Sequence, residues 1–310
     1  MPDIVVMFFV LGLIAGIVRS DLEIPKAAYD VLSLLLMLTI GLKGGMALYG
    51  NLNWGLVGEL VGVMLLGFII PLLLFPILRY IVGLSLADSS SIAAHYGSVS
   101  AGTFAVALAY VETNGLKYNP EVTLYLVMLE LPAIIVGLLL YRFFSKTSKV
   151  STGKLWHEAF TNRGVILLLG GVIIGMMYGP QNGSPVTSQF TGAFKAVLAL
   201  FLLEMGLTAA ETLRPFPWKK WRLLVFALGI PPILGFFGLV VAHLLALNMG
   251  TSIILASLTA SASYIAAPAA IKSSIKEANI GLAMLASLGL TFPFNVIVGI
   301  GLYHSWGKMF

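Results

Sequence analysis

Cysteine is absent from the 310 residues, and charged side chains are scarce, at 10% of the chain. Without cysteine there is no disulfide, no thiolate metal site and no cysteine nucleophile. Ordinary soluble domains carry about 25% charged residues. The low charge therefore argues against an ordinary soluble domain.

Enzyme signatures are missing as well. The sequence contains no H-E-x-x-H pair, no P-loop, no G-x-S-x-G elbow and no dinucleotide fingerprint. It also lacks the paired intramembrane aspartates that a proton antiporter would use. The sequence thus predicts a protein that is not an enzyme and needs no enzymatic cofactor.

Hydrophobic residues, in contrast, make up 59% of the chain and recur in long runs. A helix needs about 20 apolar residues to cross a bilayer. We expect an all-α polytopic membrane protein with ten spans. The N-terminus lacks the basic region of a signal peptide, so we interpret it as the first span. The ten spans cover residues 4–18, 27–48, 55–81, 88–111, 121–143, 163–178, 190–212, 221–247, 251–273 and 277–305, the first and sixth being short.

Loop charges predict the orientation, because basic loops stay in the cytoplasm. Most of the 18 Lys and Arg residues fall on one predicted side. We therefore expect a multi-pass protein of the plasma (inner) membrane, among lipids, with both termini outside. The net charge of +5 follows from these short loops, so nucleic acid is not an expected partner. The basic side holds Arg19, Lys26, Arg79, Arg142, Lys146, Lys149, Lys154, Arg163, Arg214, Lys219, Lys220, Arg222, Lys272 and Lys276.

Weak internal repeats divide the chain into halves. "GLIAGIV", "TIGLKGGMAL", "AAHYGSVSAG" and "VGLLLY" have counterparts in "GVIIGMM", "EMGLTAAETL", "SASYIAAPAA" and "VGIGLY", in the same order and at similar separations. Each half would hold five spans, and an odd number inverts the second half, as in secondary transporters. The predicted domains are residues 1–144, a basic cytoplasmic linker at 145–162, and residues 163–310.

The fourth and ninth spans are the least suited to lipid. The fourth contains "GSVSAGT", and the ninth contains Pro268, which removes a backbone donor and disturbs the preceding turn. Both are predicted to break near mid-membrane, which is tolerated where the backbone lines a cavity. The facing half-helix N-termini could hold a small anion. Tight helix packing through small residues is the alternative. The predicted anion site comprises Gly97, Ser98, Val99, Ser100, Ala101, Gly102, Thr103, Tyr264, Ala266, Ala267, Pro268 and Ala269.

A cation site is predicted beside the anion. Glu130 precedes Pro132 in the fifth span, and the repeat places Thr291 at the matching position, followed by Asn295. Ser261 and Ser263 complete the candidates for Na⁺, since hydroxyls and freed carbonyls can ligate it. Glu204 and Glu59 are alternative candidates for the cation-site carboxylate. They could instead form buried ion pairs with Lys195 or Lys43. His95 is expected to be a hydrogen-bonded helix residue. For Tyr96 and Tyr264, gating and packing remain equal alternatives.

"GLKGGMAL", "AAHYGSVSAGTFAVALAYVE", "ASASYIAAPAA" and "LTFPFNVIVGIGLY" together resemble the SbtA-type sodium-dependent bicarbonate transporter family, along nearly the whole chain. The resemblance implies Na⁺/HCO₃⁻ symport with Na⁺ as the coupling ion. It also implies core and gate domains that move like an elevator, broken crossing helices 4 and 9, and a homotrimer. Some members bind a PII-like cytoplasmic regulator, SbtB.

The chain departs from that family pattern in places. The best-known members carry an Asp followed by Gly-Pro-Pro in the ninth span, where this chain has Tyr264 and Ala266-Ala267-Pro268. Glu130 replaces an Asp, and the central linker is short. The expected function is a Na⁺-dependent bicarbonate symporter. A transporter of another small anion or monocarboxylate, an anion channel, an intramembrane receptor and an intramembrane enzyme remain as alternatives.

Overall fold

The computed structural model describes residues 4–50, 55–145, 161, 163–214 and 217–309. These residues are all helical or in short connections, with no strand among them. The predicted linker at 145–162 lies almost wholly outside the described residues. The helices are α1 Ile4–Val18, α2 Lys26–Leu48, α3 Gly55–Pro76, α4 Leu86–Gly97, α5 Ala101–Thr113, α6 Val122–Phe144, α7 Arg163–Asn182, α8 Ser184–Thr212, α9 Trp221–Leu244, α10 Met249–Thr259, α11 Ala266–Ser274 and α12 Ile280–Gly307.

Eight segments of the described chain are long and apolar enough to cross a membrane. One of them is the broken pair α4 and α5, taken together as Leu86–Thr113. The first predicted span corresponds to the shorter apolar helix α1, and the ninth to the short helices α10 and α11. The chain is thus a multi-pass membrane protein by the length and composition of its helices.

The sixth span was expected to end at residue 178, and its regular helical part does end there, because Gly179 has non-helical backbone dihedral angles. A further turn follows from Pro180 to Asn182, and α7 includes it across a kink. Gly179 adopts a positive φ of 64°, and Pro180 starts the next turn, so the chain kinks instead of leaving the helix. Glycine tolerates this left-handed conformation because it has no Cβ. The polar letters "GPQNGS" therefore mark a kink between α7 and α8 rather than a long loop.

The helices pack as two bundles. In the first bundle, α1 lies along α8 and α2 lies along α7, with α2 also against α8. In the second bundle, α3, α4 and α6 pack together, as do α9, α10 and α12, and α5 lies against α10. The bundles meet where α8 contacts α5 and α12, where α2 contacts α5 and α6, and where α7 contacts α6. This boundary runs beside the chain breaks described below.

Glycines allow the close approach of α2 and α7 in the first bundle. A Cβ on Gly45 would overlap the carbonyl oxygen of Val172 and lie 2.9 Å from the Cα of Gly175. A Cβ on Gly41 would likewise lie 3.0 Å from the Cα of Gly171. Small residues permit this kind of backbone contact between membrane helices, where van der Waals packing replaces the hydrophobic effect.

We expect Gly45→Ala to destabilise the first bundle. The added methyl group must push α2 and α7 apart, and overpacking of this kind costs about 1–3 kcal/mol. Gly170→Ala on α7 is the matched control, because no atom lies within 4 Å of the added Cβ. Thermal unfolding in detergent should show a lower midpoint for Gly45→Ala and an unchanged or higher one for Gly170→Ala. Equal midpoints for the two variants would contradict the tight contact.

Candidate functional site

The first chain break separates α4 from α5 at Ser98, Val99 and Ser100. Ser98 and Ser100 have extended backbone conformations. The Ser100 hydroxyl accepts a hydrogen bond from the Thr103 amide at 3.0 Å and so caps α5. Serine favours this role because its oxygen replaces the missing helical acceptor. The break thus falls inside the predicted "GSVSAGT" stretch.

The second chain break lies between α10, which ends at Thr259, and α11, which begins at Ala266. The Ser263 hydroxyl accepts a hydrogen bond from the Ala267 amide at 3.1 Å. The expectation that Pro268 itself breaks the span was wrong, because Pro268 lies in the first turn of α11. Proline is tolerated there since its missing N–H has no helical partner in any case. The interruption comes before it, at residues 260–265.

The two breaks touch each other. The Ser263 amide donates to the carbonyl oxygens of His95 at 2.7 Å and Ser98 at 2.8 Å. The Ser100 amide donates to the Ser261 hydroxyl at 2.9 Å. All these residues are buried. The structure therefore brings the predicted serines of the fourth and ninth spans into one contact, although they are far apart in sequence.

Tyr264 covers the start of α5. Its hydroxyl oxygen lies at Gly102, where a Cβ would overlap it. The Tyr264 ring packs edge-on against Phe292, with ring centroids 5.3 Å apart. The remaining predicted residues here are small or apolar, and the side chain of Ala269 lies outside the described residues. Val99, Ala101, Ala266 and Ala267 are buried, Pro268 is partly exposed, and Gly97 packs against Pro71 and Ala133.

Several polar atoms near the breaks are buried without a hydrogen-bond partner in the described part of the chain. They include the Ser98 hydroxyl, the Thr103 hydroxyl and the Tyr264 hydroxyl. A buried unpaired polar group costs about 1–3 kcal/mol. The first backbone hydrogen bond of α5 runs from the Phe104 amide to the Ser100 carbonyl, at 2.9 Å. The amides of Ala101 and Gly102 come before it, so the helix itself offers them no carbonyl partner. This end of α5 can offer both amide and hydroxyl groups to a small ion.

Glu130 has a buried Oε1 atom with no hydrogen-bond partner in the described residues. It lies on α6, which packs against α4 with Gly137 beside Ala94 and Ala133 beside Gly97. Glu130 precedes Ala133 by one turn, so it lies at the level of the break that follows Gly97. Its place on α6 is therefore level with the first break, and no salt bridge to Glu130 occurs among the described residues.

Thr291 and Asn295 lie on α12 and are already engaged by the protein. The Thr291 hydroxyl donates to the Ala227 carbonyl at 2.8 Å and lies 2.6 Å from the Tyr96 hydroxyl. The Asn295 amide nitrogen donates to the Ala260 carbonyl at 2.8 Å, and its oxygen accepts from Tyr303 at 2.7 Å. Asn295 thus fixes the first residue of the second break rather than presenting a free oxygen.

A sequence profile of the Na⁺-dependent bicarbonate transporter superfamily matches residues 4–308. The chain belongs to this superfamily. The resemblance recognised in the sequence is thereby confirmed, and the prediction that the chain is not an enzyme is confirmed with it, because this is a family of transporters. A search of curated proteins finds none that matches the chain. At family level the protein is a Na⁺-dependent bicarbonate transporter.

The other charged side chains considered as site candidates have partners of their own. Lys43 pairs with Glu112 at 2.6 Å rather than with Glu59, and Lys195 donates to the Thr113 hydroxyl at 3.2 Å. Glu59 accepts a hydrogen bond from Tyr125, and Glu204 accepts one from Thr208. Glu112 had no predicted role, because a charge near a helix end does not show which distant residue it will pair with.

Tyr96, whose role the sequence left open, and His95 both have defined contacts. Tyr96 is fully buried, with its ring 5.1 Å from that of Phe226 and its hydroxyl bonded to Thr291. These contacts favour packing over gating for Tyr96. The Nδ1 atom of His95 lies 2.7 Å from the Ser91 carbonyl, one turn earlier. His95 is therefore hydrogen-bonded within its helix, in agreement with the prediction.

Proposed function

We propose that the transporter is a Na⁺/HCO₃⁻ symporter whose two ions bind where the chain breaks cross. The contact between the breaks carries this proposal. Backbone groups freed from two helices converge there, in the membrane-embedded part of the chain, with the hydroxyl groups of four serines, Thr103 and Tyr264. Three of these hydroxyl groups have no hydrogen-bond partner in the described residues. Irregular backbone at such a depth is characteristic of ion sites in secondary transporters.

The anion would bind at the start of α5. A helix N-terminus carries roughly +0.5 of an elementary charge and presents unpaired amides. The amides of Ala101 and Gly102 and the hydroxyls of Ser98, Thr103 and Tyr264 supply donors for the oxygens of bicarbonate. Such a site needs no Arg or Lys side chain. It would therefore bind the anion weakly until a cation is also present.

Na⁺ would bind on the side of Glu130. The carboxylate provides negative charge, and the hydroxyls of Ser261 and Ser263 and the freed carbonyls provide neutral oxygens. Asn295 supports the site by holding α12 against the second break, and Thr291 holds α12 against α9 and against Tyr96 of α4. Coupling has an energetic reason, since the membrane potential opposes a monovalent anion by about 2.3 kcal/mol per 100 mV. One Na⁺ carried with each anion cancels this charge.

The proposed architecture consists of ten spans in two inverted five-helix repeats. It is supported by the reciprocal packing of α1 on α8 and α2 on α7, and by breaks at corresponding places in both halves. The first bundle would be the gate domain and the second the core domain, which slides past it like an elevator. The homotrimer, the SbtB-type PII-like regulator and cytoplasmic basic loops belong to the same proposal.

Uptake of labelled bicarbonate into proteoliposomes tests the function. We expect accumulation with an inward Na⁺ gradient and none with an equal K⁺ gradient, with empty vesicles as the control for leakage of carbon dioxide. Na⁺-driven uptake of formate or acetate in place of bicarbonate would assign another monocarboxylate to the site. Unitary currents without Na⁺-driven accumulation would indicate a channel.

A further inference from the structure

A polar cleft opens at the end of the first bundle, between the α1–α2 connection and the last turns of α8. Its volume is about 460 Å³. Basic side chains line it, namely Arg19, Lys26 and Arg214, together with carboxylates that include Glu204. Charges of both signs in one cleft can attract a cation and an anion together, so the cleft suits the ions of the proposed function.

Two aromatic rings separate this cleft from the chain breaks. Tyr29 lines the cleft and stacks on Phe201, with ring centroids 5.8 Å apart and an interplanar angle of 20°. Phe201 is fully buried. On its far side, its Cε1 atom lies 3.2 Å from the position of a Cβ on Gly102, which the Tyr264 hydroxyl also approaches. The contacts run without interruption from the cleft through Tyr29 and Phe201 to the start of α5.

The pair also lies at the boundary between the bundles. Tyr29 is on α2 and Phe201 is on α8, both in the first bundle, whereas Gly102 and Tyr264 belong to the second. Aromatic faces cannot replace the water around a small anion, so an ion cannot pass through the stacked rings. Rotation of either side chain, or sliding of one bundle along the other, would open a route.

We propose that Tyr29 and Phe201 form a closed barrier between the polar cleft and the ion site. The proposal that ions use this route rests on the proposed function. The barrier itself is a property of the fold and can be measured without transport.

The absence of cysteine makes the barrier directly testable. Ser98→Cys places one thiol at the first break and disturbs no hydrogen bond of the Ser98 hydroxyl. Purified protein in detergent is treated with a small charged methanethiosulfonate reagent, and modification is followed by mass spectrometry. Leu22→Cys, in the exposed connection beside the cleft, is the positive control for reagent reactivity.

We expect slow modification of Ser98→Cys and modification at least about tenfold faster when Phe201→Ala is added, equivalent to ~1.4 kcal/mol in the cost of opening. Tyr29→Ala should act in the same direction and covers the case in which Phe201→Ala does not fold. Phe194→Ala is the matched control, because this buried phenylalanine lies two turns earlier on the same face of α8, under Lys43. Its rate should stay within about twofold of the parent.

Unchanged rates in both barrier variants would overturn the proposal. Equal acceleration by Phe194→Ala would also overturn it, because the effect would then be a general loosening of α8. A protein that failed to transport bicarbonate would still give this readout, so failure of the barrier and failure of the proposed function are distinguishable.

Discussion

Gly102→Ala is expected to reduce Na⁺-driven bicarbonate uptake by about fivefold to 150-fold, since clearing the overlap that it creates costs about 1–3 kcal/mol. The new Cβ would overlap the Tyr264 hydroxyl oxygen and lie 3.2 Å from Phe201 and 3.3 Å from Phe292. Rings from α8, from α12 and from the connection between α10 and α11 therefore surround the added methyl group. The Tyr264 hydroxyl is the nearest of these neighbours, so Tyr264 must move the most. Its movement would deform the second break.

A second substitution should restore part of the loss. Tyr264→Phe removes the oxygen that overlaps the Cβ, so Gly102→Ala combined with Tyr264→Phe should transport better than Gly102→Ala alone. Gly192→Ala on α8 is the control for adding a methyl group to a helix, since no atom lies within 4 Å of its Cβ. It should transport normally. Wild-type uptake by Gly102→Ala, in protein with an unchanged unfolding midpoint, would contradict the close contact at the start of α5.

The positions of the breaks could be predicted because they depend on local chemistry. Gly97, Ser98 and Ser100 are poor interior helix residues and good cap residues, so the sequence already favours a helix end there. Pro268 misled the same reasoning. The effect of a proline depends on its distance from the start of the helix. The Ser263 hydroxyl accepts a hydrogen bond from the Ala267 amide at the start of α11, so Pro268 falls in the first turn.

The partners of the site residues could not be predicted, since they depend on packing between distant segments. The repeat matched Thr291 to Glu130 by position, but it could not show that Thr291 bonds Tyr96 or that Asn295 is held by Tyr303. The position of Phe201 between the cleft and Gly102 could not be predicted either. It is one apolar residue in an apolar span, and only the approach of α8 to α5 gives it a role.

Glu130→Gln is expected to raise the Na⁺ concentration needed for half-maximal uptake by about tenfold or more, corresponding to ~1.4 kcal/mol of lost cation binding. The Oε1 atom is buried without a hydrogen-bond partner in the described residues. A buried carboxylate without a cation is costly, and a bound Na⁺ offsets that cost. The amide keeps the shape of the side chain and removes its charge, so it isolates the electrostatic contribution.

Glu59→Gln is the matched control for Glu130→Gln, because Glu59 is also a carboxylate within a span but accepts a hydrogen bond from Tyr125. Its half-maximal Na⁺ concentration should remain close to that of the parent. Unfolding gives a second, independent readout, since a ligand that binds only the folded state stabilises it by RT ln(1 + [L]/Kd) and so raises the unfolding midpoint. Na⁺ should raise the midpoint of the parent and of Glu59→Gln, and much less that of Glu130→Gln. If Glu130→Gln kept both the parental Na⁺ dependence of uptake and the parental shift in midpoint, Glu130 would not contact the cation. The charge that balances Na⁺ would then have to come from the bicarbonate itself, held at the start of α5.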